Sequence, residues 1–196
     1  MKNLIMLLIS MVVIGCGNDP KQQKTQEMQE THEHPAANAD TSSATKSLSP
    51  HTSTMAMIND AHIHIDYSSP SVRDRVIFGG LVGYNTIWQA GAHKATWIET
   101  DKDLLIDGKT LSAGKYGFFV IPGKEEWKVI FNTRWDQHGK DDFNEAENVL
   151  TLSVTPGELE EIQESLLYEI TETGEKSGVL RMKWEKIKVE ILFEVQ

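Results

Sequence analysis

The stretch "AHIHIDY" places His62, His64 and Asp66 two residues apart. On a β-strand that spacing turns all three side chains to one face, with successive imidazoles about 7 Å apart. Imidazoles on that scale hold Zn or Cu when a third ligand arrives from another strand. His93 in "GAHKATW" and Glu99 just after it are candidates for that ligand, with His138 farther along the chain. The metal set read from the sequence is therefore His62, His64 and His93, with Zn or Cu as the cofactor if there is one. A second reading stands beside it: His62 and His64 on a solvent-facing strand, and His93 hydrogen-bonded to a loop backbone.

Other chemistries find less support. Gly79-Gly80-x-x-Gly83 has the look of a nucleotide loop, but such loops open a helix whose first amides bind phosphate. No helix-forming segment follows and no Gly-Lys-Ser/Thr is present, so these glycines read as turn residues. Nucleophilic catalysis needs a serine or cysteine beside a base. No Gly-x-Ser-x-Gly elbow occurs, and the single cysteine, Cys16, lies outside the folded region. A glycosidase pair cannot be picked from 29 Asp and Glu residues, because the separation that matters is spatial. The chain reads as non-enzymatic, with an uncharacterised hydrolase as an alternative.

Among the five tryptophans, Trp127 and Trp184 run in phase with Val129, Phe131, Leu180 and Met182 and belong to a core. Trp88 and Trp97 are not determined by pattern. Trp135 is no better determined, but it lies in the polar "TRWDQHGKDDFNEAEN", where an exposed aromatic would suit carbohydrate or protein contact. Arg75, Gln89, His93, Glu99 and Trp135 form the set of ligand-binding candidates.

The elements that must position these residues are strands. From Thr52 onward the apolar period is two: Leu166, Tyr168 and Ile170 share a face, as do Leu150, Leu152 and Val154. "KYGFFVIP" is apolar on both faces and reads as a central strand. Asn59-Asp60 and Asp107-Gly108 mark hairpin turns. Glu185-Lys186 is a third expected hairpin, between a strand carrying Leu180, Met182 and Trp184 and one carrying Ile187 to Val195. Short helical turns are expected around Phe143 to Glu147 and Pro156 to Ile162. About nine or ten short strands predict an all-β fold, an antiparallel β-sandwich of jelly-roll type.

Lys2, the apolar run Leu4 to Ile14 and small Gly15 before Cys16 have the layout of a secretory signal. The run is shorter than the about 20 residues of a membrane-spanning helix. Val13-Ile14-Gly15-Cys16 resembles a bacterial lipobox, which predicts a signal peptide over residues 1–15 and lipidation of Cys16. Residues 16–51 are polar and read as a tether with a reach of about 30 Å. "HEHP" within it is too sparse for a closed metal site. Residues 52–196 then form the domain. With no second cysteine, its stability must come from packing. A net charge of -10 argues against nucleic acid as a partner. The expected partners are a membrane, through the lipid, and an envelope protein complex. The expected location is the cell envelope, at the outer membrane.

"YSSPSVRDRVIFGGLVGYNTIWQAGAHKATWIET", "LLIDGKTLSAGKYGFFVIPGKEEWKVIFN" and the strands around Trp184 resemble domain of unknown function 2911, a family of bacterial envelope proteins frequent in Bacteroidetes. The resemblance runs through Tyr67, Pro70, Arg75, Gly79, Trp88, Gly91-Ala92, Gly114, Tyr116, Pro122 and Trp127. It implies an exported β-sandwich and carries no activity with it. The family tract resembles "WRTGANEAT", whereas this chain reads "WQAGAHKAT". His93 therefore stands where Asn is usual and Gln89 where Arg is usual. Ser69 likewise replaces a usually basic residue. The resemblance and the residues together predict a lipid-anchored binding or accessory subunit.

Overall fold

A strand with one apolar face needs a second layer to cover it, and ten strands of this chain cover one another in two antiparallel sheets. The computed structural model describes residues 47–196. The expected signal peptide, Cys16 and nearly all of the tether lie outside the described residues. In chain order the strands are β1 His51–Ile58, β2 Ala61–Ser68, β3 Trp97–Thr100, β4 Leu104–Ile106, β5 Lys109–Leu111, β6 Gly114–Ile121, β7 Trp127–Asn132, β8 Asn148–Val154, β9 Gly157–Gly174 and β10 Ser177–Val195. The larger sheet has the order β1-β2-β3-β6-β7-β8, and the smaller β5-β4-β10-β9. The β-sandwich expected from the alternation is what forms. Among the described residues no helix is long and apolar enough to cross a membrane.

Between the sheets lie Ile63, Ile65 and Tyr67 of β2, Phe118 and Val120 of β6, and Trp127, Val129 and Phe131 of β7. Leu166 and Tyr168 of β9 and Leu180, Met182, Trp184 and Val189 of β10 face them. Full burial of each such side chain contributes about 1.5–3 kcal/mol. β6 is central and apolar on both faces because its outward residue Phe119 packs with Ala95 and Ile130, and with Ile87, Ile121 and Phe143 around them.

The local turn chemistry behaves as read. Asp107 and Gly108 both adopt positive φ, 50° and 71°, as a type I′ turn between β4 and β5 requires. Asn59, at φ 53°, opens the two-residue turn between β1 and β2.

Two expectations are corrected. Glu185-Lys186 is not a hairpin, because β10 runs unbroken from Ser177 to Val195. Its apolar residues change phase after Trp184, and the chain absorbs this with β-bulges around Glu185, which sits at φ 56°. One extra residue in a bulge moves the following side chains to the other face, so Val189, Ile191 and Phe193 return to the core. Pro156 to Ile162 is also not helical. Gly157 and Glu158 already pair with Lys188 and Ile187 of β10, and ladder pairing overrides the weak helix preference of this Glu-rich segment. The turn expected near Phe143 to Glu147 is a 3-10 turn at Glu145–Glu147, capped by the Asn144 side chain, which accepts from the Ala146 N–H at 3.1 Å.

Candidate functional site

The connection from β2 to β3, residues 69–96, carries most of the stretch singled out by its glycines, and its backbone is pinned at four places. First, it runs beside β9: the Ser69 hydroxyl donates to the Leu166 carbonyl at 2.7 Å, and the Val72 N–H donates to the Glu164 carbonyl at 2.8 Å. Residues 76–82 then fold back, with the Val82 N–H donating to the Ile77 carbonyl at 2.8 Å. Gly79 takes φ 86°, and a Cβ on Gly80 would stand 2.3 Å from the Val76 carbonyl oxygen. These are the corner glycines expected from the sequence. Trp88 next joins the edge of β6, exchanging backbone hydrogen bonds with Val120 at 2.8 and 2.9 Å. Finally, the Ala90 carbonyl accepts from the Tyr168 hydroxyl at 2.7 Å and the Thr96 hydroxyl at 2.9 Å. Burial pushes the Tyr168 phenol well above its ordinary value of 10.0, so it remains a donor.

These anchors hold the wall of a cleft of about 540 Å³. Trp88 and Trp184 lie at its buried end, stacked at 5.6 Å between ring centroids and 23° between planes. Arg73, Arg75, Gln89, His93 and Lys140 line it nearer the surface. Arg75 donates to the Val72 and Ser71 carbonyls at 3.0 and 2.6 Å, and Arg73 to the Leu48 carbonyl at 2.7 Å. Neutral carbonyls orient a guanidinium without cancelling its charge. Among the described residues, Arg73, Arg75 and Lys140 enter no ion pair, whereas Arg134, Arg181 and Lys183 pair with Glu147, Glu190 and Glu169. Among the described residues the buried Trp184 indole N–H has no acceptor. An unmet buried donor costs about 1–3 kcal/mol, which an acceptor from a ligand removes.

The wall is also strained. Arg73, Asp74, Asn85, Ala90 and His93 all take positive φ, between 49° and 62°. A left-handed residue other than glycine costs about 1–2 kcal/mol, and such residues gather where the surroundings over-determine them, often at ligand sites. His93 takes φ 62°, and both His and the Asn expected there from the resemblance are enriched in the left-handed region. Gly91 is required for another reason, since a Cβ there would lie 2.7 Å from the Thr96 hydroxyl oxygen.

Of the ligand candidates read from the sequence, Arg75, Gln89 and His93 meet in this cleft. Glu99 and Trp135 do not line it. Glu99 is exposed on β3, opposite His64 of β2 and Lys115 of β6. Trp135 is not free in its loop but half-buried against Trp97, at 6.3 Å, and the Lys115 ammonium lies over both rings at 3.3 and 3.9 Å. The metal set is also divided, because His93 lines the cleft and His62 and His64 do not. Among the described residues no three His, Cys, Asp or Glu side chains stand together as a metal site. His138 is exposed, 3.8 Å from Asp141.

Sequence reasoning missed Arg73, Lys140, Trp88 and Trp184 as cleft residues. The doublet Arg73-Asp74-Arg75, two cations in a chain of charge -10, was the available signal. Trp184 was assigned to the core, which is correct, yet one side of it also meets the cleft.

A cleft that joins cationic side chains to the indoles of Trp88 and Trp184 suits an anion that carries a flat apolar body. No curated protein and no solved structure matches the chain. Residues 49–193, which include both sheets and the cleft wall, match the family described as "Protein of unknown function (DUF2911)". The chain belongs to the DUF2911 family.

Proposed function

We propose that this protein is a non-catalytic binding protein, held at the cell envelope by lipid on Cys16 and serving there as a subunit of a membrane-associated complex. Its ligand is a small anion with an aromatic or otherwise flat body, taken up in the cleft. The observation that carries the reading is the grouping of Arg73, Arg75 and Lys140, which form no ion pair among the described residues, in a cleft that Trp88 and Trp184 also line, in an otherwise acidic chain. An acidic net charge disfavours non-specific anion binding, so the grouped cations supply selectivity as well as attraction. The lipobox at Val13 to Cys16 supports the anchoring.

Titration with anilinonaphthalene sulfonate, an aromatic anion, tests the ligand class against its neutral analogue phenylnaphthylamine. The expected result is saturable binding of about one equivalent of the anion, weakened roughly tenfold by Arg73→Ala/Arg75→Ala, each tenfold being about 1.4 kcal/mol. Equal binding of the neutral analogue, or no effect of the double substitution, contradicts the reading. Labelled palmitate incorporation that Cys16→Ala abolishes tests the anchor.

A further inference from the structure

The β1–β2 hairpin turns a different set of groups outward. Its register places Met55 opposite His64 and Met57 opposite His62. Residues directly opposed in an antiparallel pair share a face, with Cβ atoms about 4.5–5.5 Å apart. Ile63 and Ile65, between the histidines and beyond, are buried, which fixes the two methionines and two histidines on the outer face. Met55 and Met57 are 59% and 57% exposed, so neither thioether serves the core. The Asn59-Asp60 turn holds the four residues in this register.

We propose that this face binds one Cu(I) ion through the Met55 and Met57 thioethers and the His62 and His64 imidazoles. Thioether sulfur is a soft, uncharged donor that selects Cu(I) over Zn, Mg or Ca, and imidazole is compatible with it. The His62 and His64 rings are 6.3 Å apart between centroids. Two imidazoles sharing a metal at about 2 Å from each nitrogen hold their centroids roughly 5–6.5 Å apart, a range that includes this separation. His64 Nε2 is buried and has no hydrogen-bond partner among the described residues. A buried nitrogen left without a partner is costly, and a lone pair given to a metal removes the cost.

The neighbours favour this set over a carboxylate-rich one. Asp66, the next outward residue of β2, is engaged by His51 Nε2 at 2.9 Å. Glu99 stands opposite His64 but also opposite Lys115 on its other side. Trp97 meets His64 edge-on at 4.9 Å and limits the orientation of its ring. The site shares no residue with the cleft, so it stands or falls independently of the anion reading.

Purified full-length protein, kept reduced and anaerobic, is titrated with Cu(I) against bicinchoninate, with Ag(I) as a redox-silent probe for methionine methyl NMR. The expected result is one equivalent of Cu(I) and Ag(I)-induced shifts of the Met55 and Met57 methyl signals alone. Met55→Leu/Met57→Leu, at two positions more than half exposed, is expected to weaken Cu(I) by at least about tenfold, the scale on which even indirect partners of a metal act. His32→Gln/His34→Gln in the tether is expected to change it less than about threefold on the same scale. Parent-like Cu(I) affinity in the leucine variant, loss of copper with the tether variant, or Zn bound as tightly as Cu(I) overturns the proposal.

Discussion

The cleft and the β1–β2 hairpin face place polar groups by opposite means. On the hairpin, one two-residue turn and strict alternation determine where His62, His64, Met55 and Met57 point. In the cleft, Arg73, Trp88, His93, Lys140 and Trp184 come from separate loops and from β10, and the wall between them rests on left-handed residues and on hydrogen bonds to the Ala90 carbonyl. The hairpin face therefore depends chiefly on local register, whereas the cleft is as stable as its anchors.

Removing the cleft's inner end tests that difference most severely. Trp184→Ala empties a fully buried position and is expected to cost about 3–5 kcal/mol. Met55→Leu/Met57→Leu on the hairpin should stay within about 0.5 kcal/mol of the parent. Urea unfolding of both variants checks the contrast, and equal losses would break it.

A smaller effect comes from the anchor. Tyr168→Phe removes one of two hydrogen bonds to the Ala90 carbonyl and is expected to cost about 1 kcal/mol. It also has a pH signature. The folded Tyr168 phenol lies well above the unfolded value of 10.0 because it is buried. The unfolded chain therefore ionises first, so this contribution is complete below pH 10.0 and is lost as pH rises beyond it. Unfolding midpoints followed into that alkaline range should fall less steeply for Tyr168→Phe than for the parent.

The mildest test is at His93. His93→Asn keeps a residue suited to φ 62° and should change stability by less than about 0.5 kcal/mol. His93→Val places a branched side chain in the left-handed region and should cost about 1–2 kcal/mol. Thermal unfolding of the pair separates a backbone role for this position from a side-chain one.

The contrast also explains what could be read in the sequence. Asp107-Gly108 and the alternation of β2 are local signals, and local geometry obeyed them. The slip of phase after Trp184 was equally visible, but a turn and a bulge leave the same trace in an alternating pattern. Only the pairing of β10 with β9 on both sides of Glu185 distinguishes them. Arg75, Gln89 and His93 were candidates from the sequence, and the single connection from β2 to β3 that carries all three brings them to the cleft. Lys140 and Trp184 were not, since they reach the cleft through the fold. Trp135 misled because a polar loop suggests exposure, while Trp97 and Lys115 on neighbouring strands gave its ring somewhere to pack. The metal set failed to assemble around His93 for a related reason: the loop carried His93 to the cleft, and the partners opposite His62 and His64 were methionines.

The five tryptophans allow one direct measurement, since each gives an indole N–H signal in a proton–nitrogen correlation spectrum. Titrating the protein with anilinonaphthalene sulfonate should move the signals of Trp184 and Trp88, which line the cleft, and leave those of Trp97 and Trp135 on the outer face in place. A Trp184 signal that stays fixed while the anion saturates, or shifts confined to Trp97 and Trp135, would contradict the assignment of the cleft as the binding site.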